Sequence, residues 1–151
     1  MFLKILLSSF FLFPKVYCQS YLEKGISEYN QRHLGCVEDQ AKPEPISSAI
    51  GHFEKALDKK DDKYEASLYL LKSYYFKSKF VIKDKKVKKD LLKKGKDLGL
   101  SLVEKFPNSV EYRYWYLVNL GSWAEEYGVF AAAREGVADQ MRYHSKKIIE
   151  I

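Results

Sequence analysis

The sequence predicts an all-α fold assembled from tandem helical hairpins. Apolar residues recur at helical rather than alternating spacing, and the 151 residues hold only four Pro and eight Gly, too little punctuation for the turns of an all-β fold. The chain also matches itself at an offset of 46 residues, the separation of Asp61 and Pro107. With 46% hydrophobic and 30% charged residues it is one globular domain's worth of chain, long enough for a single core and unusually rich in Tyr (12) and Phe (9).

Residues 1–18 stand apart from that reading. Lys4 supplies a short positive start, Ile5 to Phe13 is apolar except for Ser8 and Ser9, and Pro14 ends the run. A membrane span needs about 20 apolar residues, so this is the pattern of a secretory signal peptide, with Cys18 at its end and Gln19 as the expected mature N-terminus. Acylation of Cys18 is the alternative, against which Lys15-Val16-Tyr17 lacks the small residues of a lipoprotein site. A third reading keeps the segment as a helix of the fold. Cleavage would leave Cys36 alone, whereas retention would permit a Cys18–Cys36 disulfide.

The mature region, 19–151, reads as three units of two helices. The first helix runs from about Ser20 to His33. A loop with Gly35, Pro43 and Pro45 follows, and Ser47 or Ser48 can cap a second helix ending near Lys59. Asp61-Asp62 opens the third helix, whose stripe is Tyr64, Leu68, Leu71 and Tyr75, and the fourth covers about Lys85 to Lys105. Phe106-Pro107-Asn108-Ser109 is a break with its own cap, and the fifth runs from Val110 to Tyr127. Gly128 closes it, and Ala131 to Ile151 reads as one long last helix. Under the offset, Ala56-Leu57-Asp58 meets Leu102-Val103-Glu104 and then Ile148-Ile149-Glu150, while Ala49 meets Gly95. A single helical pair cannot bury its apolar faces, so such units stack.

The knobs Leu68–Leu71–Tyr75 and Ala49–Phe53–Ala56, with Pro107 closing a unit, follow the tetratricopeptide pattern. That repeat is normally about 34 residues, so the expectation is a tetratricopeptide-like α-solenoid of three hairpins with long insertions inside each repeat. HEAT-type repeats, at about 40–47 residues, match by length alone.

Within this frame, Glu111 to Glu125 (EYRYWYLVNLGSWAE), Ala131 to Val137 and Lys147 to Ile151 resemble the T components of TRAP-type solute transporters, which are periplasmic tetratricopeptide proteins. Eukaryotic microtubule-associated regulators of similar repeat type show a weaker resemblance. The TRAP resemblance implies a periplasmic or secreted location, association with a periplasmic solute-binding protein, and handling of an apolar small ligand. It also implies further helices beyond Ile151, so the repeat domain is expected to be incomplete at its C-terminus.

Charge and chemistry narrow the function. Eleven Lys between Lys72 and Lys96 face only Asp84 and Asp90, a local +9 in a mature chain of net +4. That stretch holds no Arg, and no aromatic lies between Val81 and Ser101 to stack on bases. A solvated helix face explains the lysines, and nucleic acid is not an expected partner. No metalloprotease, phosphate-loop, nucleophile-elbow or CxxC motif occurs. His33, His52 and His144 fall on three different helices, so no enzyme, metal or cofactor is expected.

The expected binding surface is a stripe of aromatics on the first helix of each unit. If Tyr114 and Leu117 are core, the neighbouring face carries Tyr112, Trp115, Asn119 and Trp123, and the equivalent face of the second unit carries Tyr69 and Phe76. Large aromatics around one amide suit an apolar ligand or partner. The competing reading packs these side chains against the next helix. Two function classes follow: a transporter-associated binding or adaptor protein, and a ligand-free interaction scaffold of the cell envelope. A homo-oligomer is compatible with both.

Overall fold

The computed structural model describes residues 19–60 and 62–151, and they are helical almost throughout. The expected signal peptide and the repeat anchor Asp61 lie outside the described residues. The elements are α1 (Tyr21–Asn30), α2 (Pro43–Lys59), α3 (Lys63–Phe80), α4 (Lys85–Lys105), α5 (Val110–Tyr127), α6 (Val129–Arg134) and α7 (Val137–Glu150). Apart from one isolated bridge between Val37 and Gln40, the described residues contain no β-structure. The fold is all-α, as the spacing predicts.

Helix starts are set by side-chain caps. The Ser20 hydroxyl accepts from the Glu23 N–H while the Glu23 carboxylate accepts from the Ser20 N–H, a reciprocal pair that satisfies two orphan donors at the start of α1. Asp62, Asp84 and Ser109 cap α3, α4 and α5 in the same sense, each accepting from the N–H three residues on.

Two boundaries differ from the expectation. Helix α2 begins at Pro43, and Lys42 is an N-cap without a side-chain bond. Pro is already set to helical φ, and its missing N–H falls where that donor would be unpaired in any case, so Pro43 starts the helix before Ser47 is reached. The expected long last helix is two. Gly136 takes φ +64°, a left-handed conformation that no helix interior accepts, and splits α6 from α7.

Successive helices pack on one another, α1 on α2 through to α4 on α5, and α5 then packs on both α6 and α7. In addition α1 touches α3, and α3 touches α5, whereas α2 and α4 do not meet. Helices α1, α3 and α5 therefore form one continuous layer. Two hydrophobic clusters sit between them. One joins Leu22, Ala49, Phe53 and Ala56 of α1 and α2 to Ala66, Leu70 and Tyr74 of α3. The other joins Leu68, Leu71 and Leu102 of α3 and α4 to Tyr112, Tyr116, Leu120 and Trp123 of α5. The 46-residue offset relates them: Ala66, Leu70 and Tyr74 correspond to Tyr112, Tyr116 and Leu120. An ion pair joins two positions of that same separation, Lys79 and Glu125, at 3.3 Å.

Helices α4 and α5 approach closely. A Cβ placed on Gly99 would come within 3.0 Å of the Tyr116 Cα, and one on Gly95 would collide with the Asn119 amide. Gly is needed there for contact between backbones rather than for its dihedral freedom. Part of the basic stretch is neutralised across helices: Lys88 meets Glu126 at 3.6 Å and Lys96 meets Glu135 at 3.0 Å.

Candidate functional site

The expected aromatic stripe is divided by the packing. Tyr112, Asn119, Trp123 and Phe76 are buried, while Tyr69 and Trp115 are half-buried at the surface of the α1–α3–α5 layer. The reason lies in the phase of α5. Tyr112, Tyr116, Leu120 and Trp123, spaced by about one turn each, fill the gap between α3 and α4, so the face placed in the concave surface is the core face. Tyr114, expected in the core, turns to the other side and is 54% exposed, while Leu117 is half-buried against the edge of the second cluster.

Each buried member has a packing role. The Tyr112 hydroxyl donates to the Tyr64 carbonyl at 2.9 Å, and burial pushes its pKa up to about 12. Asn119 donates to the Leu71 carbonyl at 3.3 Å and to the Trp115 carbonyl at 2.8 Å, tying α5 to α3. Trp123 stacks on Tyr127 at 4.6 Å between ring centres, with the Lys96 ammonium 4.5 Å from its ring. Phe76 packs edge-on to His33 at 5.0 Å.

What remains of the stripe is a cation held between two rings. The Lys72 ammonium lies 4.6 Å from the centre of Tyr69 and 5.8 Å from Trp115. Partial burial lowers the Lys72 pKa, against the opposing pull of Glu65. Tyr69 in turn stacks on Phe53 and meets Tyr29 edge-on, both at 5.3 Å. Arg32 completes the edge, its guanidinium 3.9 Å from the Tyr29 ring. The aromatic surface is thus already covered by the protein's own cations.

An open apolar surface lies elsewhere, between α5 and α7. Tyr114, Leu117 and Val118 from α5 and Met141, Ser145 and Ile148 from α7 line a groove of about 400 Å³. Ile149, next along α7 to the lining residue Ile148, is 85% exposed. A contiguous apolar patch of this kind marks an interaction surface more often than scattered single residues do.

Sequence reasoning also missed what holds α7 against α5. Arg113 is only 5% exposed and has no carboxylate partner among the described residues. Its guanidinium donates through Nε and Nη2 to the Pro107 carbonyl and meets His144 Nδ1 at 2.7 Å. The neutral imidazole is therefore the acceptor there. Burial first, and then the Arg113 charge, lower the His144 pKa. The Tyr116 hydroxyl bonds to Gln140, a second polar tie between the two helices. The one early signal was that His52 and His144 fall two offsets apart on second helices of their units; His52 lies beside Tyr21, its ring centre 6.2 Å away.

Cys36 is exposed and unbridged among the described residues. No cluster of three or more His, Cys, Asp or Glu forms among the described residues, and none of their helices is long and apolar enough to cross a membrane. Comparison with known proteins gives no match, whether to a family model, a curated protein or a solved structure.

Proposed function

We propose that this chain is an exported, tetratricopeptide-like adaptor that works by binding another protein. The observation that carries the reading is the apolar groove between α5 and α7. Support for a solenoid comes from the continuous α1–α3–α5 layer and from two cores related by the 46-residue offset. The export signal over 1–18 and the resemblance of Glu111 to Glu125 to TRAP T components name a periplasmic solute-binding protein as the partner to try first.

The burial of Tyr112, Asn119 and Trp123 favours an adaptor that binds protein alone, since it leaves little of the stripe to line a small-molecule pocket. The test is a photo-crosslinking residue at Leu117 in the full chain, with one at exposed Ser48 on α2 as control. The adaptor reading expects an envelope protein attached at 117 and none at 48. Equal labelling at both positions, or none at 117, would remove it. Mass spectrometry of the same material should find Gln19 at the N-terminus; an intact Met1 would end the export reading.

A further inference from the structure

Helix α6, in mid-chain, turns its small residues inward and its large ones out. Ala131 and Ala132 pack on the second hydrophobic cluster, while Val129 and Phe130 are 82% and 91% exposed. Phe130 is the most exposed large apolar side chain among the described residues. A surface helix ordinarily buries its large apolar side chains and exposes its polar face, so this pattern is inverted. Arg134 stands one turn beyond Phe130, and the outward face of α6 therefore runs from apolar to cationic.

Helix α4 adds cations on the same side. The Tyr127 hydroxyl donates to the Lys89 carbonyl at 3.4 Å, with the Lys89 ammonium 4.9 Å from the Tyr127 ring. At the other end of α6, Glu135 pairs with Lys96 at 3.0 Å. The two residues that bracket α6 thus touch α4 about two turns apart, which lays α6 alongside the start of that helix. Lys85 and Lys86, about one turn before Lys89, extend the line. Among the described residues, Lys85, Lys86, Lys89 and Arg134 have no carboxylate partner. The acids of this region are engaged: Asp84 caps α4, Glu126 pairs with Lys88, and Asp97 with Lys93.

We propose that α6 and the start of α4 form a docking face for an anionic lipid bilayer. Val129 and Phe130 enter the boundary between headgroups and acyl chains, and Lys85, Lys86, Lys89 and Arg134 lie against the lipid phosphates. The inference goes beyond the adaptor reading and uses a different face from the α5–α7 groove. Peripheral binding of this kind combines buried apolar area with attraction to anionic headgroups, and four or more Lys or Arg beside an apolar helix face supply the second part.

Charge names the occupant. Residues 1–18 hold Lys4 and Lys15 and no Asp or Glu, so that segment repeats the sign of the face it would have to cover. Nucleic acid is favoured by several rings to stack on and by Arg forks that match phosphate geometry. Here one ring projects, and three of the four cations are Lys, point charges that suit a fluid headgroup layer.

The test is flotation of the full chain with vesicles of phosphatidylcholine containing about 30% phosphatidylglycerol, against phosphatidylcholine alone. Binding to the anionic vesicles is expected to be about tenfold tighter or more, and to weaken as NaCl rises from about 0.1 to about 0.5 M. Lys85→Gln with Lys86→Gln should weaken it about tenfold or more, and Phe130→Ser about fivefold. Lys59→Gln with Lys63→Gln removes the same charge at the far end of α3 and should change it less than about twofold. All five side chains are exposed, so the fold is retained, and circular dichroism checks this. Residues 1–18 are common to every variant, so the differences between variants read this face. A fluorescent residue sensitive to its surroundings should shift to the blue at position 130 on anionic vesicles, and not at Ser48. Equal affinity for the two vesicle types, equal losses from the two lysine pairs, or an unshifted probe at 130 overturns the inference. So does lysine-dependent binding of a DNA duplex without binding of vesicles. Self-association in sedimentation that Phe130→Ser disperses and vesicles do not compete would assign the face to a second copy and overturn it as well.

Discussion

Replacing Trp123 by Ala separates a core indole from a binding anchor. Trp123 is 4% exposed, stacked on Tyr127 and bounded by Lys96, in the cluster that joins α3, α4 and α5. Truncating a buried Trp to Ala typically costs about 3–5 kcal/mol. One feature offsets part of that loss: the Trp123 Nε1–H is buried with no acceptor among the described residues, and such an orphan costs about 1–3 kcal/mol in the native state. The expected loss is therefore near the lower end, about 3 kcal/mol. Trp123→Phe, which removes the orphan donor and keeps an aromatic ring, should cost less than about 2 kcal/mol. Half-buried Trp115 provides the contrast, since its Ala variant should cost no more than about 1–2 kcal/mol for the smaller area it covers. The assay is urea unfolding followed by circular dichroism, comparing midpoints at constant slope. A domain of this size has about 5–15 kcal/mol in total, so every variant should remain foldable. A Trp123→Ala cost below about 1 kcal/mol, or one smaller than that of Trp115→Ala, would refute the assignment of this face to the core.

Gly99→Ala should destabilise by about 1–3 kcal/mol, because its Cβ meets the Tyr116 backbone at 3.0 Å. Gly51→Ala, in the middle of α2 with nothing within 4 Å of the new Cβ, should instead stabilise by roughly 1 kcal/mol, and thermal unfolding of the pair gives both signs. Ser20→Ala removes the reciprocal cap of α1 and should cost about 1 kcal/mol, read as faster amide exchange over 21–25. The His144 pKa is lowered in the folded state, so the unfolded chain binds more protons near and below the ordinary value of 6.5. Its contribution is present above that pH and is lost as pH falls toward the folded-state value. Urea midpoints measured downward from pH 7.5 should therefore drop more steeply for the natural chain than for His144→Gln, and parallel profiles would sink this account.

Helix boundaries were largely legible because they are local. Ser20, Asp62, Asp84 and Ser109 cap with their own side chains, and Phe106-Pro107 breaks the chain whatever surrounds it. The two misplaced boundaries are local as well: Pro43 at a first helical position and Gly136 at positive φ were visible residues given the wrong weight. The orientation of α5 was not local. Its apolar residues are spread around the helix, with Tyr112, Tyr116 and Leu120 on one side and Tyr114, Leu117 and Val118 on another, so its periodicity favours neither. The choice is made by α4, where Gly95 and Gly99 open just enough space for Asn119 and Tyr116 to enter. The same holds for Arg113, which reads as a solvated helix charge until Pro107 and His144 are brought to it. The sequence by itself determined the helices, their caps and their repetition, since these rest on spacing and short-range hydrogen bonds. Only the tertiary structure decided which aromatic face is core and which is open, because that depends on how closely two backbones from different helices approach.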